Sequence, residues 1–275
     1  MDIARELLRE GNVPAALDQL KQDVRKAPRE PRLRTFLFQM FCITGEWDRA
    51  LNQLKVVHEL DPKTEPMAQT YQAAIRAEIL REKIYRGERS PTVFGDPGDW
   101  VPLVIEANRL LAKGQREDAA RMRDAAFDAA PTAEVVINGH AREWVADADP
   151  RLGPILEAVV EGKYMWIPFH RVKWLAVEEP ADLRDQVWMP ARFTWTNDGE
   201  AVALIPTRYP GSAASTDPAI QLARKTDWTE LDEDWSLPIG QRILVTDADE
   251  TALMDLRKLA ILHATATAPA PAGAA

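Results

Sequence analysis

The sequence predicts an α+β protein, with TPR-like helical repeats over residues 1–131 followed by a mainly antiparallel β-sheet domain with flanking helices over residues 132–263. Three observations carry this. Gly11, Ala16 and Pro28 recur as Gly45, Ala50 and Pro62 at a shift of 34 residues. After Pro131 the apolar spacing changes from helical to the period of two expected of strands. Two turn signals then follow, Asn138-Gly139 and Asn197-Asp198-Gly199, in which Asn and Gly tolerate positive φ.

Thirty-four residues is the tetratricopeptide period, and its small-residue pattern has a mechanical reading. The Gly opens the turn between paired helices, the Ala lets them approach, and the Pro ends the second helix because it lacks an N–H. Leu17 and Leu20 recur as Leu51 and Leu54, and Gly114, Ala119 and Pro131 repeat the internal spacing once more. The Trp and Tyr usual in the first helix of such repeats are missing. Between copies, residues 66–87 read as one long helix, and residues 90–100 (SPTVFGDPGDW) as a Pro/Gly loop. Helices over residues 101–113 and 114–130 complete the half. Cys42, beside Phe38 and Phe41, reads as a small buried residue.

In the second half, strands over residues 134–137 and 141–145 flank Asn138-Gly139. Asp149 and Gly162 then suggest the caps of a helix over residues 151–161 with a stripe of Leu152, Ile155, Leu156, Val159 and Val160. Strands are expected over residues 163–169 and 171–177, and a central hairpin over residues 186–196 and 200–206. In its first strand Val187, Met189, Ala191, Phe193 and Trp195 share one face. Residues 220–224 read as a short helix or strand. Residues 242–246 read as the last strand, and Thr246-Asp247-Ala248-Asp249-Glu250 as the cap of a final helix reaching about Leu262. The end, residues 264–275 (ATATAPAPAGAA), is expected to be disordered. Seven of the nine tryptophans lie in this half; most are expected in the core, and Trp228 and Trp235, set among acids, less so.

Composition narrows the function. The net charge of −9 falls wholly on residues 132–275, since residues 1–131 hold 21 Lys+Arg against 21 Asp+Glu. An acidic domain argues against nucleic acid, which requires a basic patch, and suits either solubility or a positively charged partner surface. A lone cysteine fits a reducing compartment. With no apolar leader at the start and no stretch of about 20 apolar residues, the expectation is a cytoplasmic protein without membrane insertion. The four His lie far apart without ligand spacing, and neither a phosphate-binding loop nor a nucleophile elbow is present. No catalytic residue, cofactor or metal is expected. Asp147 and Asp149 read as turn caps rather than a catalytic pair.

A repeat half of this kind commonly holds a peptide or helix of another protein on its concave face, or serves only as a scaffold. Its candidate partner-binding residues, by position in the first helix of each repeat, are Thr35, Gln39, Val104 and Asn108. Around the central hairpin Arg192, Trp195, Arg208 and Tyr209 are a second candidate set, for a partner or, in a competing reading, for an enzyme site. Arg184, Arg192 and Arg208 are expected to pair with Asp182, Asp185 or Glu200.

Residues 143–154, EWVADADPRLGP, resemble the EWIADADxRLGP signature of ImpE/TagJ proteins. The block over residues 181–212, with its FTW and IPTRYPGS runs, resembles the same family, as do residues 164–169 (YMWIPF) and Gly240-Gln241-Arg242. The likeness extends over essentially the whole chain except the Ala/Pro end. It implies an accessory component of the bacterial type VI secretion system that binds the N-terminal helix of the small sheath subunit TssB. Through that subunit it implies a link to sheath recycling by the AAA+ unfoldase ClpV, contacted at most indirectly. The family supplies no catalytic residues. A folding helper for another secretion component is a further alternative.

Overall fold

The computed structural model describes residues 1–265. Helices α1 (Asp2–Arg9) and α2 (Val13–Lys26), α3 (Pro31–Ile43) and α4 (Trp47–Leu60), and α6 (Val101–Ala112) and α7 (Arg116–Ala129) pack as successive pairs. Each pair turns at a glycine with positive φ, Gly11, Gly45 and Gly114, at 83°, 70° and 78°. Ala16, Ala50 and Ala119 are fully buried. The spaced small residues therefore stand where the helices meet. Between the second and third pairs runs α5 (Glu65–Tyr85), which lies against the sheet, and β1 (Thr92–Val93) follows it. No described helix is long and apolar enough to cross a membrane.

After α7 come β2 (Thr132–Ile137), β3 (His140–Arg142), β4 (Val145–Asp147), β5 (Ile155–Val160), β6 (Lys163–Pro168) and β7 (Val172–Val177). Next are β8 (Trp188–Trp195), β9 (Glu200–Pro206), the single turn α8 (Pro218–Gln221), β10 (Thr226–Glu230) and β11 (Ser236–Gly240). Last are β12 (Ile243–Thr246), β13 (Glu250–Ala252) and β14 (Lys258–Thr265). The main sheet has the order β1-β6-β5-β9-β8-β7-β14-β2-β3 and is antiparallel except where β1 joins β6. A smaller sheet, β13-β12-β4, closes one face, and β10 pairs only with β11.

Two expected helices are strands. The segment read as a helix over residues 151–161 is β5, buried on both faces. A doubly buried strand has no polar face, so its apolar run mimics a helical stripe. Glu161 and Gly162, at φ 49° and 76°, form the hairpin turn into β6 rather than a helix end. The expected final helix is β13, a short loop and β14. Thr246 Oγ1 does accept from the N–H groups of Ala248 and Asp249, but the turn it closes joins two strands. Residues 242–246 are therefore not the last strand, and Ala264 and Thr265, expected in a disordered end, pair with Ala133 and Thr132. The rest of that end, from residue 266, lies outside the described residues.

The sheet is covered on both faces. Leu156, Ile167, Met189, Phe193 and Ile205 pack with Leu244, Leu253 and Leu256 into one core. Ile155, Val159, Tyr164, Trp166, Trp188 and Leu204 point the other way and join the core of α1–α6. Helical and sheet halves thus share one apolar interior across their seam. At the seam stands Gly153, at φ 53°, where an added Cβ would strike the ring of Phe127 from α7. Gly153→Ala combines backbone strain with overpacking and is expected to cost about 2 kcal/mol or more, read as a lower urea midpoint at unchanged slope.

Candidate functional site

Three features at the seam bear on function: a buried ionic cluster, a basic groove and a tryptophan-lined groove. The cluster forms because β5 places Glu157 inside, facing α5. Glu157 accepts from Arg81 Nε at 2.8 Å and Nη2 at 2.7 Å, from the Tyr164 hydroxyl, and from Arg242. Arg242 also donates to Asp147 and, at 3.0 Å, to the Pro206 carbonyl. Arg81 reaches Glu78 at 3.3 Å and the Arg208 carbonyl at 3.0 Å. The Trp188 indole donates to Glu78 at 3.1 Å. Every charged group here is buried and has a partner.

Burial alone would raise Glu157, but Arg81 and Arg242 outweigh it and hold the carboxyl well below its usual range. Burial dominates at Asp147 and pushes it up to about 6 despite Arg242. Arg208 is lowered by burial to about 10 and stays charged at neutral pH. It donates to the carbonyls of Cys42 at 3.0 Å and Ile43 at 2.8 Å, which end α3, and of Gln221. Arg224 likewise donates to Leu8 and Arg9 at the end of α1. Two arginines of one loop thus cap two helices of the other half, where the helix dipole favours positive charge.

These contacts place the expected site residues. Among the described residues Arg208 pairs with no carboxylate, contrary to expectation, because the carbonyl ends of two helices surround it. Tyr209 is buried, with its hydroxyl 3.1 Å from Asp147. The cleft beside Arg208 and Tyr209 holds about 30 Å3, roughly one water. Trp195 stacks on Phe193 at 4.8 Å and meets Phe94 at 4.0 Å. Arg192 is exposed opposite Val202, so the four hairpin residues do not line one cavity. Arg184 does pair with Asp182. Val104 and Asn108 are buried, and Asn108 Nδ2 donates to the Arg151 carbonyl at 2.7 Å. Trp235, expected nearer the surface, is buried against α7, with its indole donating to the Arg116 carbonyl.

Thr35 and Gln39 come together in a groove of about 770 Å3 between α1, α3 and the turn at Leu183–Gln186. The Gln39 amide is committed to Asp182 at 3.0 Å, while Thr35 is half-exposed. Phe36 and Leu183 supply apolar surface, and Arg5, Arg9, Arg32 and Arg224 outnumber Asp61 and Asp182. Repeat position points to Thr35 and Gln39 but not to the rest of the wall, since Pro180, Ala181, Asp182, Leu183, Gln186, Arg224 and Met254 come from the other half. The second groove, about 450 Å3, lies between Phe127, Trp144 and Trp228.

The buried cluster has a measurable consequence. Glu157→Gln leaves two buried guanidiniums undercompensated and is expected to cost about 3–5 kcal/mol at pH 7. Because the folded carboxyl titrates below the unfolded value of 4.5, its contribution is complete above that pH and is lost below it. The stability gap between the two proteins should therefore shrink as pH falls below 4.5 in parallel urea titrations.

Comparison with known proteins agrees with this architecture. The profile of the family described as ImpE protein matches residues 139–260. The type VI secretion system accessory component TagJ of Pseudomonas aeruginosa is 48% identical over 257 residues, spanning 94% of this chain and 90% of its own. A crystal structure of a Vibrio parahaemolyticus protein superposes with a TM-score of 0.86 at 23% identity, covering 94% of this chain and 97% of that one, and shows the fold alone. With near-half identity along nearly the full length of both sequences, the chain belongs to the ImpE/TagJ family of type VI secretion accessory proteins.

Proposed function

We propose that the protein is a cytoplasmic, non-enzymatic adaptor of bacterial type VI secretion. In this reading it binds the N-terminal helix of the TssB-type small sheath subunit and, through it, modulates sheath disassembly by a ClpV-type unfoldase. The near-half identity to a type VI secretion accessory component supports the setting. The succession of helix pairs supports a helical ligand.

The observation that carries the binding mode is the open groove at Thr35 and Gln39. Its floor of Phe36, Leu8 and Leu183 suits the apolar stripe of an amphipathic helix. Its arginines suit carboxylates on the flanks of that helix, steering association more than adding affinity. Gln39 acts by holding the Asp182 wall in place, and Thr35 faces the ligand.

The test is titration of the sheath subunit into the full chain by calorimetry. Thr35→Trp fills the groove and is expected to weaken binding at least tenfold, about 1.4 kcal/mol. Reversal of Arg5 and Arg32 to Glu should do the same, with a flatter salt dependence. Undiminished binding of a sheath subunit lacking its first helix would overturn the reading.

A further inference from the structure

The second groove differs from the first in every respect that decides a ligand. It lies where α7 meets the sheet, between Phe127, Pro131, Trp144, Pro154, Phe169 and Trp228. Trp144 and Trp228 are 37% and 43% exposed, two of the five large apolar side chains left exposed among the described residues. Neither indole N–H has a described hydrogen bond. The other tryptophans of this half are packed away or half-buried, so these two rings are not left over from an overfull core. Exposed tryptophans facing one groove are what a binding surface uses, since Trp supplies large, rigid apolar area and is enriched where binding energy concentrates.

The polar groups say what kind of ligand fits. No Lys or Arg lines this groove among the described residues, whereas four arginines line the first. Asp147, at its floor, is already committed to Arg242 and Tyr209. His170 is pushed down to about 4 by burial and by Arg171, so it is neutral at pH 7. Asp128, Glu143 and Glu230, next to or two residues from the groove residues Phe127, Trp144 and Trp228, are exposed and without a described ion pair. Glu230 shares a face of β10 with Trp228, two residues along the strand. A small polar ligand would need converging donors and acceptors that this groove lacks.

We propose that the tryptophan-walled groove is a second docking surface, which takes an amphipathic helix with an apolar stripe and flanking lysines or arginines. Its ligand is opposite in charge to the one proposed for the groove at Thr35. The apolar stripe lies between Trp144 and Trp228, and the cationic flanks meet Glu143 and Glu230.

The test uses the full chain and a fluorescein-labelled 18-residue Leu/Lys peptide of helical spacing, followed by anisotropy. Trp144→Ala and Trp228→Ala should each weaken binding five- to tenfold, and Trp228→Phe should retain most of it. Reversal of Glu143 and Glu230 to Lys should weaken binding at least tenfold. A Leu/Glu peptide of the same pattern should bind at least tenfold more weakly. Thr35→Trp should leave Leu/Lys binding unchanged, separating this surface from the proposed sheath-binding groove. Equal binding by the double tryptophan variant, or equal binding of the two peptides, would overturn the proposal. A tenfold gain on removing residues 266–275 would also overturn it, by giving the groove to the chain's own end.

Discussion

The structure depends on a carboxylate placed where a strand pattern allows only apolar groups. Glu157 is fully buried in β5 and joins Arg81 of the helical half to Arg242 beyond β11. Bringing one such charge out of water costs several kcal/mol, and the cost is offset only when each ion is paired and hydrogen-bonded. That condition couples distant segments. Residues 78–81, 147, 157 and 242 must arrive together, since any one absent leaves a buried charge unmatched. An apolar seam would hold the halves with equal strength yet tolerate sliding. The ionic cluster accepts one register.

The loop after β9 extends the same logic to the helix ends. Arg208 and Arg224 reach across the seam to the carbonyls that close α3 and α1. The Leu8 and Cys42 carbonyls also accept from the N–H groups of Gly11 at 3.1 Å and Gly45 at 3.3 Å, and the arginines add donors from the sheet half at the same helix ends. Cys42 takes part only through its carbonyl, while burial pushes its thiol up and keeps it unreactive. The halves are therefore one folding unit in energetic terms, though the sequence reads as two.

How much could be read beforehand follows from the kind of signal. The helix pairs were legible because Gly11, Gly45 and Gly114 mark turns that only a positive φ can make. Asn138-Gly139 was legible for the same reason. β5 was misread because burial on both faces erases the alternation that distinguishes a strand. A charged residue inside ILEAVV was the one available clue, since a buried Glu demands an arginine from elsewhere. β14 was misread because Thr246 and Asp249 cap turns and helices with the same hydrogen bonds. Of the candidate site residues, repeat position brings Thr35 and Gln39 into one groove but leaves Val104 and Asn108 buried. Arg208 and Tyr209 looked like ligand residues because buried structural arginines and tyrosines use the same chemistry. The tryptophan groove's one linear signal is Trp228 among its acids, since the walls come from residues 127–133, 144–154, 169–170, 228 and 245.

Both grooves straddle the seam, and this ties their shape to the cluster. One is walled by α1, α3 and residues 180–186, the other by α7 and the strands around Trp144 and Trp228. A groove made from two bodies has a fixed shape only if the bodies are fixed, and an unfixed one spends affinity on ordering. Arg81, Glu157 and Arg242 touch neither groove, yet they hold the walls of both at a set distance. The buried charges thus fix the walls of both grooves: the same interaction that opposes sliding holds the arginine-lined groove and the tryptophan-lined groove on one frame.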